Sequence, residues 1–350
     1  MKADFFKHIK TAKYPYIIAE LGANHNGDMD IAKKLIDAAK ECGSDCVKFQ
    51  SWTPASLIAE EEYIRNTKYN DSPKKHFGSL REMVEAYYLK EDQHFILKKY
   101  CDKISIDFSS SPFSFDEIDL LIKLDVPFIK IASMDINNIS LLEYAAQTMK
   151  PIVLSTGMSE LSEIEIAVKA IEKQNNSKII LLHCIAIYPP KFEDINLNNI
   201  PMLKQTFGYP VGFSDHSFGI HIPLAAITLG ACIIEKHFTI DKNMPGWDHE
   251  ISADPTELKQ IVQFGKEITV SLGEHKRIVS ADELSKRAKF RRSIVVSRNM
   301  KKGDVITKED LLFKRPGTGI PPDESKFVIG RKLNCNITSD SLLKWEYLEK

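Results

Sequence analysis

The chain lacks the sequence features of disulfide-rich, membrane-spanning, secreted and nucleic-acid-binding proteins. Its 350 residues include only six cysteines, too few for a disulfide scaffold. Apolar residues nowhere run together for the roughly 18 positions that a membrane span needs, and the N-terminal segment lacks the apolar core of a signal peptide. Charge is balanced, with 47 Lys and Arg against 48 Asp and Glu. These absences predict a soluble, cytoplasmic protein with free thiols, and they disfavour nucleic acid and membranes as partners.

Eight short apolar runs occur along the chain, with helical patterns between them. The runs are YIIAEL (16–21), CVKFQ (46–50), DFSSS (107–111), FIKIAS (128–133), IVLSTG (152–157), IILLHC (179–184), VGFSDH (211–216) and CIIEKHF (232–238). This alternation indicates βα units around a parallel sheet. Eight strands favour an α/β fold of the (β/α)8 TIM-barrel type over an open sheet with a glycine-rich first turn. The insert at 53–103 is predicted to be an elaborated loop with its own helix.

The pattern changes after Gly273, where a charged connector replaces the alternating runs. It is followed by the β-like runs SIVVS, KKGDVIT and LLFKRPGTGIPP. The sequence therefore predicts a barrel over 1–275, a linker over 276–291 and a small β-rich domain over 292–350. Within that domain, KKGDVITKEDL predicts a hairpin turn followed by a one-turn helix capped by Thr307.

Polar residues occupy the C-terminal ends of nearly all the predicted strands. In a TIM barrel, catalytic groups lie at these ends because the loops that follow the strands form one concave face. The set includes Glu20, Lys48, Gln50, Ser111, Lys130, Ser133, Asp135, Ser155, Tyr188, Ser214 and Glu235. One such residue alone is as well explained as a hydrogen-bonded core group. Agreement among eight strands predicts a binding site, because burial of an unpaired polar group is costly.

Two histidines indicate a metal site. His216 and His237 close the last two strands, so their imidazoles can converge on one divalent ion, with Glu235 or Asp248 supplying an oxygen directly or through water. Mixed nitrogen and oxygen ligands suit manganese, iron, cobalt or zinc. The alternative is that each histidine hydrogen-bonds a loop carbonyl.

Lysines and hydroxyls at the strand ends indicate an anion site. Lys48 and Lys130, with Ser111, Ser155 and Ser214, offer the donors that a phosphate or carboxylate requires. The alternative, strand-end capping and surface lysines, is weaker for Lys130, which lies midway along the apolar run FIKIAS.

With these residues in view, the chain resembles the sialic acid synthase family, whose members condense phosphoenolpyruvate with an N-acetylhexosamine to a nine-carbon 2-keto acid. The resemblance covers almost the whole chain. It rests on the motifs AELGANHNGD, VKFQ, SSPF, IKIAS, LSTGM, HCIAIYP, GFSDHS, IEKHFT, PGWDHE and FKRPGTGI. It implies a C-terminal antifreeze-like (SAF) domain that is swapped across a homodimer.

The resemblance also implies a role for each site residue. His216 and His237 would hold the metal, manganese in the first place, with magnesium or cobalt as alternatives. The phosphoenolpyruvate site would comprise Lys48, Ser111, Lys130, Ser133, Ser155 and Ser214. The sugar site would comprise Gln50, Asp135, Tyr188, Asp248 and, from the other subunit, Arg315. Catalysis would involve Glu20, Glu235, Asp248, Tyr188 and Arg315.

One departure from the family pattern bears on the acceptor sugar. HCIAIYP has Ile185 and Ala186 where members of the family usually carry polar residues. The acceptor therefore stays undecided between N-acetylmannosamine and a 6-deoxy diacetamido hexose of the legionaminic or pseudaminic branches, on whose extra methyl or acetyl group Trp247 could pack.

Two other functions fit the same residues. One is a Schiff-base aldolase that acts on pyruvate through Lys130 or Lys48, since a desolvated lysine can be a nucleophile. The other is a sugar-acid binding protein without catalytic activity, whose C-terminal domain only dimerises it.

Overall fold

All eight predicted strands form, and they pair in parallel in the first of two compact units, Met1–Gly273 and Glu274–Lys350. The structure is a computed structural model that describes residues 4–68 and 78–349. The strands are β1 (Tyr16–Glu20), β2 (Cys46–Ser51), β3 (Asp107–Pro112), β4 (Ile129–Ile131), β5 (Ile152–Ser155), β6 (Ile179–Cys184), β7 (Val211–Asp215) and β8 (Ile233–His237).

The sheet curls into a nearly closed barrel. Its strand order is β3-β2-β1-β8-β7-β6-β5-β4, so each strand lies beside its neighbour in the sequence, and β1 pairs with β8. Across the remaining seam between β3 and β4, Ser109 Oγ donates a hydrogen bond to the Phe128 carbonyl at 2.9 Å. This arrangement confirms the predicted TIM barrel.

Helices follow the strands on the outside of the barrel. The helices of this unit are α1 (Phe5–Thr11), α2 (Met29–Glu41), α3 (Pro54–Leu57), α4 (Glu60–Arg65), α5 (Leu80–Tyr87), α6 (Glu91–Ile104), α7 (Phe115–Lys123), α8 (Ile139–Gln147), α9 (Leu161–Lys173), α10 (Phe192–Ile195), α11 (Asn199–Phe207), α12 (His221–Thr228) and α13 (Pro255–Leu272). No described helix is long and apolar enough to cross a membrane.

The helices α2 and α9 are two of the helices that the sequence predicts between the strands. In α2, Asp28 accepts hydrogen bonds from the backbone N–H groups of Asp30 and Ile31, as an N-cap does. The chain leaves the helix through Gly43, whose φ of +89° is accessible to glycine without strain.

The insert between β2 and β3 contains more helix than the single one predicted. Four helices, α3 to α6, lie in its described part, while residues 69–77 of the predicted insert are outside the described residues. Trp52, Met83, Val84 and Tyr87 form a separate apolar cluster there. Because that cluster depends on tertiary contacts, periodicity along a charged, aromatic-rich segment underestimated the helix content.

The interior of the barrel changes from apolar to polar along the strands. Side chains alternate between its two faces, so every second residue points inward. At the start of the strands the inward residues are apolar, as at Ile18 and Ile233, and they belong to one buried cluster. Two positions further along β1 and β8 the inward residues are Glu20 and Glu235, both buried. The apolar layer thus closes one end of the barrel, and ionisable groups occupy the other.

The six cysteines are free thiols, as predicted. Cys46 and Cys184 are buried, whereas Cys232 is only partly buried. Cys184 lies at the end of β6 with its Sγ 3.1 Å from Ser133 Oγ.

The second unit is a small domain with little regular secondary structure. It contains α14 (Ala281–Ser285), α15 (Arg287–Phe290), β9 (Ser293–Val296), β10 (Leu311–Lys314) and α16 (Ser325–Val328). The strands β9 and β10 pair antiparallel. The predicted single turn of helix is present at Lys308–Asp310, preceded by Thr307, whose N–H donates to the Asp310 carboxylate at 2.9 Å.

One of the three predicted β-runs in this unit is wrong. KKGDVIT forms a turn at Gly303, whose φ is +89°, and then only an isolated bridge between Val305 and Lys332. Backbone hydrogen bonds join residues 303–306 to residues 330–333, but they do not form a continuous strand, and only the other two predicted runs contain strands.

Candidate active site

A cavity of about 780 Å³ opens at the carboxyl ends of the barrel strands. Its wall includes the predicted site residues Glu20, Lys48, Gln50, Ser111, Lys130, Ser133, Ser155, Tyr188, Ser214, His216, Glu235, His237 and Asp248. The structure therefore brings together side chains from all eight strands or the loops that follow them. This volume is in the range of small-molecule sites.

Asp135 and Arg315 are the predicted site residues outside this wall. Asp135 ends a short 3-10 turn after β4, where Asn138 Nδ2 contacts its Oδ1 at 3.4 Å. Arg315 belongs to the second unit, where it is exposed and its guanidinium carbon lies 5.2 Å from the centre of the Phe290 ring. Their predicted contacts with a sugar stay predictions.

Four ionisable groups form a buried charged cluster at the base of the cavity. This cluster comprises Glu20, Lys48, Lys130 and Glu235, each at most 5% exposed. Lys48 Nζ contacts Glu20 Oε2 and lies 3.9 Å from Glu235 Oε2, while Lys130 Nζ lies 3.4 Å from Glu235 Oε1. Two cations and two carboxylates thus share one desolvated space.

Hydroxyl and amide groups surround the charged cluster, but they do not provide a hydrogen bond to every carboxylate oxygen. Lys48 Nζ donates to Ser111 Oγ at 3.1 Å, Ser214 Oγ donates to Glu235 Oε1 at 2.9 Å, and Gln50 Nε2 donates to Glu20 Oε1 at 2.9 Å. Among the described residues, Glu235 Oε2 is buried without a hydrogen bond. A buried polar atom without a partner is costly in a native protein and marks a position where a ligand can supply the missing group.

The two carboxyl groups of the cluster have pKa values shifted in opposite directions. Burial raises the pKa of Glu20 to about 7, although Lys48 acts against this shift. Burial also acts to raise the pKa of Glu235, but Lys130 and Lys48 more than offset it, and the result lies below the ordinary value. Near neutral pH, Glu20 can therefore hold a proton, and Glu235 is ionised.

The two lysines of the cluster also differ. Burial acts to lower the pKa of Lys48, but Glu20 and Glu235 raise it above the ordinary value. Burial lowers the pKa of Lys130, and Glu235 offsets only part of that shift. Lys48 is the more firmly cationic of the two.

His216 and His237 approach each other at the side of the cavity. Their ring centres are 5.5 Å apart, and Tyr188 lies beside them with its ring centre 4.0 Å from that of His216. His216 Nδ1 contacts the Ile185 carbonyl at 2.7 Å, so this nitrogen carries the hydrogen and Nε2 keeps a lone pair. Ile185, one of the two apolar residues by which the HCIAIYP motif departs from the family pattern, thus orients His216 through its backbone carbonyl.

His237 has the free lone pair that a metal ligand needs. Within the described residues its Nδ1 is buried and has no hydrogen-bond partner, and Asp248 Oδ2 lies 3.7 Å away. Burial lowers the pKa of both histidines, that of His216 to about 4, so both imidazoles are neutral at physiological pH. Neutral imidazole is the form that binds metal ions.

Among the described residues, no third side chain is grouped with these two histidines as a possible metal ligand. In the described ranges 4–68 and 78–349, no three His, Cys, Asp or Glu side chains are grouped to hold a metal ion. Two neutral imidazoles, one with an orphaned buried nitrogen, fit a divalent ion whose other positions are taken by water or substrate oxygens.

A second buried ion pair lies behind the histidines, outside the cavity wall. Lys236 Nζ contacts Asp215 Oδ2 at 2.7 Å and donates to the Ser217 carbonyl, while Ser217 Oγ donates to Asp215 Oδ1 at 2.7 Å. All three residues are about 1% exposed. This closed ion pair joins the ends of β7 and β8. The sequence places both residues among the polar strand ends, but the structure puts them outside the cavity wall, where their charges neutralise each other.

The mouth of the cavity is largely apolar. Met134, Met158, Ile187 and Phe218 contribute exposed side chains, and Trp247 lies deeper, with its ring centre 6.3 Å from that of Trp52. Among the described residues of the wall, the only lysines or arginines are Lys48 and Lys130 at the base.

The fold and this cavity define a TIM-barrel enzyme with a buried charged cluster at the base of the cavity and two histidines in its side wall. Comparisons with known proteins assign the family. The NeuB family matches residues 35–277, and the SAF domain matches residues 291–349. The chain belongs to the NeuB family of synthases and carries a C-terminal SAF domain, as the sequence motifs predicted.

Named relatives match over nearly the full chain. The N,N'-diacetyllegionaminic acid synthase of Legionella pneumophila is 40% identical over 95% of this chain and 94% of its own length. The human N-acetylneuraminate-9-phosphate synthase is 33% identical over 95% of this chain and 92% of its own length. The crystal structure of the N-acetylneuraminic acid synthetase of Leptospira borgpetersenii, solved with citrate, has a TM-score of 0.70 at 37% identity and covers 78% of this chain and 90% of that one.

Proposed function

We propose that the protein condenses phosphoenolpyruvate with an N-acetylated hexosamine to give a nine-carbon 2-keto sugar acid and phosphate. The observation that carries this proposal is the presence in one cavity of a buried charged cluster, a buried carboxylate oxygen that accepts no hydrogen bond from the described residues, and two neutral histidines. The similarity to an N,N'-diacetyllegionaminic acid synthase and an N-acetylneuraminate-9-phosphate synthase supports the same reaction class.

The charged cluster suits the phosphoenolpyruvate half of the reaction. Lys48 and Lys130 are buried, and Ser111 and Ser214 add hydroxyl donors beside them. An anion bound there gains strong charge-assisted hydrogen bonds. Ser155 and Ser133 line the same cavity and extend this set of donors.

His216 and His237 would hold a divalent ion, with manganese as our first expectation and magnesium or cobalt as alternatives. When bound, such an ion supplies Lewis acidity that polarises the aldehyde of an open-chain sugar. Asp248 lies 3.7 Å from His237 and the Tyr188 ring centre 5.9 Å from that of His237, and these two residues would orient the sugar hydroxyls around that aldehyde.

The two carboxyl groups divide the proton transfers. The enol carbon of phosphoenolpyruvate attacks the aldehyde carbon, a C–C bond forms, and the aldehyde oxygen takes a proton that Glu20 can hold near pH 7. Water then adds to C2 of the former phosphoenolpyruvate, and the ionised Glu235 accepts its proton. The C2–O bond to phosphate then breaks, the proton of the new C2 hydroxyl passes to the departing phosphate, and the 2-keto acid remains.

The apolar mouth favours an acceptor that presents methyl groups. A 6-deoxy diacetamido hexose offers one ring methyl and two acetyl methyls to Met134, Met158, Ile187 and Phe218. A sugar phosphate would bring a charge to a part of the described wall that carries neither lysine nor arginine. We therefore propose the 6-deoxy diacetamido sugars over N-acetylmannosamine and its phosphate.

We also propose that Arg315 serves the site of a second subunit in a swapped homodimer. Its exposed guanidinium can present two parallel donors to sugar oxygens. Refolding Arg315→Ala and Lys48→Met chains together tests this idea, because mixed dimers would contain one pocket with both residues intact. Partial recovery of activity supports the swap. No recovery, with mixed dimers detected by mass, would assign Arg315 to its own barrel or to no site.

The proposed function is tested by incubating the full chain with phosphoenolpyruvate, manganese and a panel of acceptors. The panel contains 6-deoxy diacetamido hexoses, N-acetylmannosamine and N-acetylmannosamine 6-phosphate, and product masses are measured. We expect the mass of a nine-carbon 2-keto acid with the 6-deoxy sugars at the highest rate. A faster reaction with the phosphorylated sugar would contradict the acceptor assignment.

The Schiff-base aldolase is the second candidate, favoured by one observation. Burial lowers the pKa of Lys130, as activation of a nucleophilic amine requires. Borohydride added with pyruvate would reduce the adduct and fix its mass on Lys130 or Lys48. The proposed condensation predicts no such adduct.

A further inference from the structure

A loop over the cavity is held in place by an N-terminal motif to which the proposed reaction gives no role. The loop spans residues 239–252, between β8 and α13, and it contains neither helix nor strand apart from single bridging contacts at its ends. Trp247 and Asp248 at its centre line the cavity. Because regular structure does not fix this loop, side-chain hydrogen bonds must set the position of these two residues.

The motif ANHNGD, residues 23–28, supplies those bonds from the loop after β1. Asn24 Nδ2 donates to the Phe238 carbonyl at 2.9 Å and to Ser252 Oγ at 2.8 Å, so it ties the two ends of the loop together. Ser252 Oγ in turn donates to the Asp248 carbonyl at 2.6 Å. Asn24 is fully buried.

Asn26 and His249 fasten the centre of the loop, and we name this contact the Asn26–His249 clamp. Asn26 Nδ2 donates to the Pro245 carbonyl at 2.8 Å, which leaves Asn26 Oδ1 to face His249 Nε2 at 3.2 Å. Since this oxygen only accepts, Nε2 carries the imidazole hydrogen. His249 Nδ1 lies 2.7 Å from Thr239 Oγ1.

The clamp leaves no spare room. His249 is 1% exposed although it lies in an irregular loop. A methyl group added at Gly246 would lie 2.4 Å from His249 Cδ2 and 2.6 Å from Asn26 Oδ1. Such distances are shorter than any van der Waals contact, so packing as well as hydrogen bonding fixes the residues that flank Trp247 and Asp248.

We propose that Asn26 and His249 are positioning residues that hold Trp247 and Asp248 against the acceptor sugar. This inference rests on the proposed function for the identity of the acceptor, but the clamp itself is independent of that function. An alternative is that His249 only fills a buried position. The two ideas differ because a positioning residue changes the affinity for one substrate, whereas a filling residue changes stability alone.

The test compares His249→Ala and Gly246→Ala with the wild-type full chain. In both variants we expect the KM for the acceptor to rise about tenfold, because small misplacement of a binding group lowers its contribution. The KM for phosphoenolpyruvate should stay within about twofold, since the charged cluster is built from strands outside the loop. Thr239→Ser, which keeps the hydroxyl, should behave as wild type.

Hydrogen exchange of the ligand-free protein gives a second readout that does not require turnover. We expect faster amide exchange in residues 240–251 of both variants and unchanged exchange in the barrel strands. His94→Gln is the matched control, because His94 is also 1% exposed and bonded to Ser51 and to the Lys90 carbonyl, but lies in α6. It should leave the exchange of the loop and the acceptor KM unchanged.

Three results would overturn the proposal: unchanged loop exchange in the variants, equal rises in both KM values, or faster loop exchange with an unchanged acceptor KM. If the wild type used none of the acceptors, the proposed function would fail, and the exchange data would still decide whether the clamp holds the loop.

Discussion

Two sets of buried charges lie on opposite faces of the barrel strands, and they differ in how completely their hydrogen bonds are satisfied. The closed ion pair of Asp215 and Lys236 has its carboxylate contacted by the ammonium and by both the N–H and the hydroxyl of Ser217. The charged cluster on the inner face leaves Glu235 Oε2 without a hydrogen bond among the described residues. The same residue types are satisfied on one face and incompletely satisfied on the other.

The difference shows how burial of charge relates to function in this barrel. A satisfied pair fixes two strand ends and needs nothing further. An unsatisfied cluster costs stability, and the pKa values of Glu20 and Lys130 shift toward the neutral form because their partners do not offset desolvation. The cavity face is therefore where a ligand is expected, and the following changes test that distinction.

The largest effect is expected from loss of a histidine on the cavity face. His237→Ala should lower kcat by about 10³-fold or more, because Lewis acidity contributes several kcal/mol to charge stabilisation. Its stability should change little, since His237 Nδ1 has no hydrogen bond to lose among the described residues. Steady-state rates at saturating manganese, with urea unfolding of the same preparations, measure both quantities. A variant with near-normal turnover after metal stripping would contradict the metal proposal.

The closed ion pair should show the reverse behaviour. Asp215→Ala leaves Lys236 buried and unpaired, and it should lower the free energy of unfolding by about 3 to 5 kcal/mol. The double variant Asp215→Leu with Lys236→Met should recover most of that loss. Urea unfolding measures the stability, and kcat per folded molecule should fall far less than in His237→Ala. A loss of less than about 1 kcal/mol would show that this ion pair does not stabilise the ends of β7 and β8 as we infer.

Removal of the firmly cationic lysine should affect one substrate. Lys48→Met should weaken the use of phosphoenolpyruvate by about 2 to 4 kcal/mol, roughly 30- to 1,000-fold in KM, with a much smaller change for the sugar. Lys98→Met is the control, because Lys98 is buried but pairs with Asp102 along α6. Equal changes in both KM values would place Lys48 outside the phosphoenolpyruvate site.

The smallest effect is a pH dependence of stability in the ligand-free protein. The pKa of Glu20 is raised from its ordinary 4.5 to about 7, so the folded state holds an extra proton between those values. Glu20 therefore contributes at most about 3 kcal/mol to the free energy of unfolding. This contribution is fully present below about pH 4.5 and is lost as the pH rises through about 7. Urea unfolding at pH 5 and pH 8 should show this loss in the wild type, and Glu20→Gln should remove it. An identical pH slope in the variant would contradict the raised pKa.

The barrel could be predicted from the sequence because short, continuous segments of the chain indicate its strands. Each strand is an apolar run of a few residues, and each inward polar residue stands at a fixed two-residue spacing from the apolar layer, as Glu20 does from Ile18. Polar motif residues at the strand ends then predicted many of the residues that line the cavity. The helices of the insert were underestimated because their cluster forms only in the folded chain.

The remaining parts of the site depend on contacts that residue types do not reveal. Ile185 contributes its carbonyl, which any residue would have. Asn26 and His249 are 223 positions apart in the sequence. Asp135 follows β4 as predicted, but the backbone turns into a 3-10 helix that takes it away from the cavity wall.

The central claim is that the incompletely satisfied charged cluster binds phosphoenolpyruvate for condensation with a sugar. Phosphoenolpyruvate labelled with heavy oxygen at the bridge to phosphorus tests it most directly, with the full chain, manganese and a 6-deoxy diacetamido hexose. We predict phosphate release only when the sugar is present, with the label in the phosphate and unlabelled oxygen at C2 of the nine-carbon product. Phosphate release without the sugar, or label retained on the carbon product, would contradict the account.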